Sequence, residues 1–270
     1  PPFTRARFQR YSAPPRPERA GLGWKRGRAM RLATKDRAYK DRSYSAASRC
    51  ARILARHRDA IAVRKDDLAT ANLTRIIDAT LRLSNKKGFH STTVRDLAKA
   101  SGLSMGGVYS YVASKEALVS MILGEVLATV DEVLAAPPPE AAADPRAHLR
   151  WIIDAHIRLS EAMQPWFVFC FMEAKTFPAR ERQRTVDAEA MTEGLIGEII
   201  ARGVAAGVFA IAEVGLSAAL IKPLLQDWYV KRAKYRNRGT TIEDYIAAVT
   251  AFAERALTAT PMGAERRRRA

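Results

Sequence analysis

The sequence predicts an all-α protein in which a small three-helix unit with a helix-turn-helix precedes a larger helical unit. Three observations lead there. From Leu68 onward apolar residues recur at three- and four-residue spacings, the mark of a helix with one buried face. No stretch alternates with period two, and neither Asn-Gly nor Asp-Gly is present to turn a hairpin. Between Thr93 and Tyr111 a small residue, a glycine and an apolar residue fall at the spacing of two helices meeting at a tight turn.

Residues 1–45 mix Pro, Arg, Gly, Ser and Tyr without apolar periodicity, a composition that buries too little to offset ordering entropy. A basic, largely disordered extension is therefore expected over 1–65, with weak helical character near Ala47–Ile61. A helical domain is expected over 66–122, a second over 123–260, and a basic tail over 261–270. The first helix carries Leu73, Ile76, Ile77 and Thr80 on one face and should stop at Gly88. Ala117–Leu134 is a second long amphipathic segment, ended by Pro137-Pro138-Pro139. Further helices are expected at about 145–163, 166–175, 180–206, 214–235 and 241–258. Pro223 should kink the fourth of these, and Thr240 with Glu243 forms a candidate capping box for the last.

The net charge of +17 is unevenly placed. Residues 1–69 carry 19 Lys/Arg against 6 Asp/Glu, whereas residues 116–264 are mildly acidic. A basic end fits a polyanion partner, since neutralising phosphates releases counterions. It equally fits a solubilising tail. No apolar run approaches the length of a membrane span and no signal-peptide core opens the chain, so a cytoplasmic protein without a membrane partner is expected. Cys50 and Cys170 are too few for a disulfide framework, and the four histidines lack zinc-site spacing, so neither metal nor cofactor is expected.

The segment TVRDLAKASGLSMGGVYSY, 93–111, carries the chemistry. Thr93 caps one helix with Asp96 reaching back. Small Ala98 allows a second helix to approach, Gly102 supplies the left-handed turn, Leu103 plugs the core, and Ser104 caps the next helix. This segment, with Gly88-Phe89 before it and Ser114-Lys115-Glu116-Ala117-Leu118 after it, resembles the TetR family of transcriptional regulators. Val112 stands where the family usually has an aromatic, which predicts looser packing behind the second helix.

The resemblance implies a helix-turn-helix DNA-binding domain, a larger helical ligand-binding and dimerisation domain, and a homodimer on a near-palindromic double-stranded DNA operator, most simply as a repressor. Ser104, Met105, Gly106 and Gly107 then open the recognition helix. None can read a base edge bidentately, so backbone approach and DNA shape should matter. Thr93, Tyr109, Tyr111 and Lys115 match family positions that contact phosphate. Each has a plainer reading too: Thr93 as a cap, Tyr111 as core, Lys115 as a solvated charge.

Gly102-Leu103-Ser104-Met105-Gly106 also spells the G-x-S-x-G of a hydrolase elbow, but that motif needs a strand before it, and no enzyme is expected. A DNA-binding protein without a ligand is the other alternative, and the large C-terminal part speaks against it. Gln164–Glu173 is the most aromatic stretch, apolar on every side, so its faces are core and cavity lining or core alone. Trp166, Phe169, Met172 and Glu173 are the candidate ligand residues. Residues 216–238 resemble the penultimate helix of TetR members grouped with fatty-acid regulators. That likeness implies a small apolar effector of the fatty-acyl or acyl-coenzyme A kind, with the last two helices, including Leu225 and Phe252, at the dimer axis.

Overall fold

Ser45 opens the first helix by accepting a hydrogen bond from the Ser48 amide at 3.1 Å. In the computed structural model, which describes residues 44–258, this helix is α1, Ala46–Arg56. It overlaps the weak helical character expected near Ala47–Ile61, and for the residues from 44 onward it corrects the largely disordered extension expected over 1–65. Cys50, Ile53 and Leu54, spaced by three and four, turn one face inward, and Ile61 follows them into the core. An 11-residue helix is marginal alone and draws its stability from packing. Here it packs on α2, Asp66–Lys87, and on α5, Lys115–Leu134. The expectations for residues 1–43 and for the basic tail fall outside the described residues.

The contact of α1 with α5 is electrostatic as well as apolar. Glu125 in α5 is fully buried, and Arg52 grips its carboxylate through Nε at 2.9 Å and Nη2 at 2.6 Å. Arg56 takes the other oxygen, and Arg52 also donates to Thr129 at 3.2 Å. A buried carboxylate is tolerable only with such pairing.

Gly88, at φ 82°, ends α2. Then come α3, Val94–Ser101, and α4, Met105–Tyr109, followed by α5. The chain continues through α6, Pro139–Ala142; α7, Pro145–Ala162; α8, Gln164–Met172; and α9, Ala179–Ala205. It closes with α10, Val214–Val230; α11, Arg232–Asn237; and α12, Ile242–Thr258. No strand occurs among the described residues. α5 runs unbroken through the boundary expected at 122/123, so the two domains share a helix instead of a linker. It packs on α7, α8 and α9, while α8 also packs on α2.

Two local expectations shift. The cap of α12 is Thr241 with Asp244, whose side chains and backbone amides exchange bonds of 3.1 and 3.2 Å, and not Thr240 with Glu243. α10 remains helical through Pro223, and the block expected to reach 235 divides at Lys231.

Candidate DNA-reading surface and effector cavity

The α3–α4 pair is built from local bonds. Thr93 Oγ1 accepts from the Asp96 amide at 3.1 Å, and Asp96 Oδ2 accepts from the Thr93 amide at 2.9 Å, a complete capping box. Lys87 closes on the same carboxylate at 2.7 Å. That ammonium, with the Thr93 bonds behind it, holds the Asp96 carboxyl well below the usual range. Gly102 adopts φ 68°, the left-handed turn that lets α4 cross α3. Ser104 Oγ then accepts from the Gly107 amide at 2.9 Å and starts α4.

Behind α4, Val108, Tyr111 and Val112 are buried with Leu97 and Ala98. In front, Ser104, Met105, Gly106 and Tyr109 are exposed, Tyr109 by 50%. A Cβ at Gly106 would meet nothing within 4 Å, while one at Gly107 would press on Ser104 Oγ at 3.2 Å. Open surface therefore centres on Gly106. Exposed Arg95 and Lys99 on α3, which no sequence motif marks, add positive charge on the neighbouring helix.

The second site is a cavity of about 350 Å³. α5 contributes Leu123, Val126 and Val130, and α8 contributes Phe167, Cys170 and Phe171. α9 supplies Thr192 and Glu189. Two basic groups interrupt the apolar wall: His156 of α7 and Lys222 of α10, both buried, with Nζ and Nε2 3.2 Å apart. Burial, reinforced by the nearby lysine, drives the His156 pKa well down, so the ring is neutral. Burial likewise lowers Lys222, to about 8, against the opposing pull of Glu189 and Glu193. Its ammonium form still predominates at neutral pH.

Both regions coincide with known families. Residues 76–122 fit the model of bacterial regulatory proteins of the tetR family, and residues 142–253 fit that of the tetracycline repressor-like C-terminal domain. The chain belongs to the TetR family of helix-turn-helix transcriptional regulators. It is 28% identical over 127 residues to the regulator BetI of Paraburkholderia phymatum, covering 46% of this chain and 64% of that relative. It is 23% identical over 184 residues to HbdR of Aromatoleum sp. strain CIB, covering 68% and 80%. Among solved structures, PfmR of Thermus thermophilus is 27% identical with a TM-score of 0.53, covering 68% of this chain and 97% of that one. A tetR-family protein of Rhodococcus RHA1 superimposes with a TM-score of 0.62 at 21% identity, covering 71% and 98%.

TetR-family proteins are regulators and not enzymes. The G-x-S-x-G run is accordingly the α3–α4 turn, entered from a helix, with Ser104 spent on capping. Of the expected DNA contacts, Thr93, Ser104, Met105, Gly106, Gly107 and Tyr109 lie on or beside one exposed surface. Tyr111 does not. It is 2% exposed, and its hydroxyl accepts from Asn72 Nδ2 at 2.9 Å, which makes it core. Lys115 is also redirected. Its ammonium donates to the carbonyls of Phe89 at 2.8 Å and His90 at 3.1 Å and sits 4.5 Å over the Phe89 ring. The amine ties the start of α5 to the α2–α3 loop.

None of the expected ligand residues, Trp166, Phe169, Met172 and Glu173, lines the larger cavity. α8 is buried on two sides, as its composition implied, but these four sit on the other side. Trp166 packs under the Arg49 guanidinium, 4.9 Å from its ring centre. Phe169, Met172 and Glu173 border a smaller hollow against α2, and Phe169 meets Phe89 edge-on at 5.4 Å. His156 and Lys222 are not among the candidate ligand residues, although His156 falls in phase with Leu149, Ile152 and Ile153 on the buried stripe of α7.

Proposed function

We propose that the protein is a transcriptional repressor that binds a near-palindromic operator as a homodimer and releases or retains it according to a small apolar effector. The observation that carries the DNA half is the exposed start of α4: short side chains, an open Cβ position at Gly106 and a capped N-terminus, all backed by buried Val108 and Tyr111. Short residues favour close approach to the major groove, and phosphate contacts from Thr93 and Tyr109 would set the register.

The effector half rests on the 350 Å³ cavity, which lies in the size range of small-molecule sites. Its α8 wall has a second side against the DNA-binding unit, through Phe169 and Phe89. AibR, which shares the fold at a TM-score of 0.56 and 17% identity, has been solved with isovaleryl coenzyme A and operator DNA together. The dimer reading rests on α10 and α12. Leu216, Leu220 and Phe252 are each about 60% exposed and apolar, whereas Leu225, expected at that face, is fully buried within the chain. This exposure supports an axis through Leu220 and Phe252, without Leu225.

Selection of duplexes from a random pool should return an inverted repeat whose half-sites lie about one helical turn apart. Light scattering should give twice the 29.9 kDa chain mass, and Leu220→Glu should yield a monomer with weakened operator binding. A monomer that selects a single half-site would contradict the reading.

A further inference from the structure

The polar centre of the larger cavity is incomplete. Lys222 carries three donors, and among the described residues it makes no ion pair; its polar contact is the His156 ring at 3.2 Å. With the lysine protonated, His156 Nε2 is the acceptor and the ring proton sits on Nδ1, a buried atom with no hydrogen-bond partner among the described residues. Donors therefore outnumber acceptors around two buried side chains. The nearest acid on the wall, Glu189, is exposed and accepts from Gln226 at 2.9 Å. Glu189 and Glu193 favour the charged lysine without pairing with it, and a buried cation with no paired counter-charge is disfavoured. A ligand able to supply the missing negative charge recovers that cost on binding.

A carboxylate is such a group. It is acceptor-only at neutral pH and takes an ammonium with a short charge-assisted bond. An ester, thioester or alcohol offers acceptors but leaves the charge uncompensated. Leu123, Val126, Val130 and Phe167 give the cavity an apolar side, polar residues such as Thr185, Thr192 and Gln226 share the wall, and 350 Å³ is near the lower end of ordinary ligand sites, which limits the body of the ligand. Exposed Lys175 and Arg182 border the same cavity and draw anions towards it.

We propose that the cavity takes a free carboxylic acid with a compact apolar body, medium-chain or aromatic, whose carboxylate seats on Lys222. The proposal rests on reading this cavity as the effector site and names the chemistry of its ligand.

Calorimetric titration of the full chain with octanoate, 3-phenylpropionate, octanol and octanoyl-coenzyme A tests it. At least one acid should bind about tenfold or more tighter than octanol. Lys222→Met should remove that advantage and leave octanol unchanged, with helicity by circular dichroism as in the parent. Lys222→Gln, which retains a partner for His156, should show the same loss. Equal binding of octanol and the acids, undiminished acid binding in both variants, binding of neither acid, or binding of the coenzyme A ester alone would each overturn the proposal. A gel shift separates the two levels: acid binding through Lys222 with no change in DNA affinity leaves the carboxylate site standing and removes its role as an effector site.

Discussion

The α3–α4 turn and the larger cavity are organised by opposite means. In the turn each key residue has a backbone task that its own chemistry specifies: Thr93 and Ser104 cap, Gly102 turns, Ala98 yields space. All of these bonds reach three to five residues along the chain. In the cavity, Lys222 meets His156 across 66 residues, and the wall is assembled from α5, α7, α8, α9 and α10. The turn is a local structure with a surface, whereas the cavity exists only where residues of five helices come together. The first can be constant while the second varies, which suits a regulator that reads DNA by one geometry and senses chemistry by another.

The joint between the two regions gives the largest stability prediction. Glu125 is held by Arg52 and Arg56, both from α1, a helix that lies outside the residues matching the family models. Replacing both arginines with alanine leaves a fully buried carboxylate unpaired, and the folded state should lose about 3 kcal/mol or more, measured by urea unfolding. A loss below about 0.5 kcal/mol, the range of ordinary surface substitutions, would mean that α1 is an appendage that does not join the two regions.

The two tyrosines of α4 and its end sharpen the contrast at smaller scale. Tyr111→Phe removes the acceptor of Asn72 and should cost about 1 kcal/mol of stability while leaving DNA affinity intact. Tyr109→Phe should do the reverse, lowering DNA affinity a few-fold and leaving unfolding unchanged. Interchanged results would reverse which tyrosine faces the duplex.

These two regions also explain what the sequence disclosed. Gly88, the Thr93–Asp96 box and the Ser104 cap were legible because capping and turning are decided within a few residues. The helix α1 was legible only as weak helical character near Ala47–Ile61, because Arg49, Arg52 and Arg56 make it look like part of the basic extension. Their partners, Trp166 and Glu125, lie in other helices. α8 was recognised as buried on two sides, but a helix apolar all round has no phase, so nothing local distinguished Phe167 and Cys170 from Trp166 and Phe169. Lys222 offered one signal, a single lysine between Ile221 and Pro223 within an apolar run. A lysine there is buried only when something nearby can use its charge.

If the exposed start of α4 is the DNA-reading surface, a negative charge placed there should abolish operator binding, and Gly106→Glu supplies that charge. The new side chain enters open space, so the fold should persist, and glutamate is the better helix former. At the duplex it sets a negative charge against phosphate, a like-charge contact that costs several kcal/mol as an order of magnitude. Anisotropy of a labelled operator should show binding lost at concentrations where the parent saturates, with circular dichroism unchanged. A folded Gly106→Glu protein that binds its operator with the parent's affinity would mean that DNA is read by another surface.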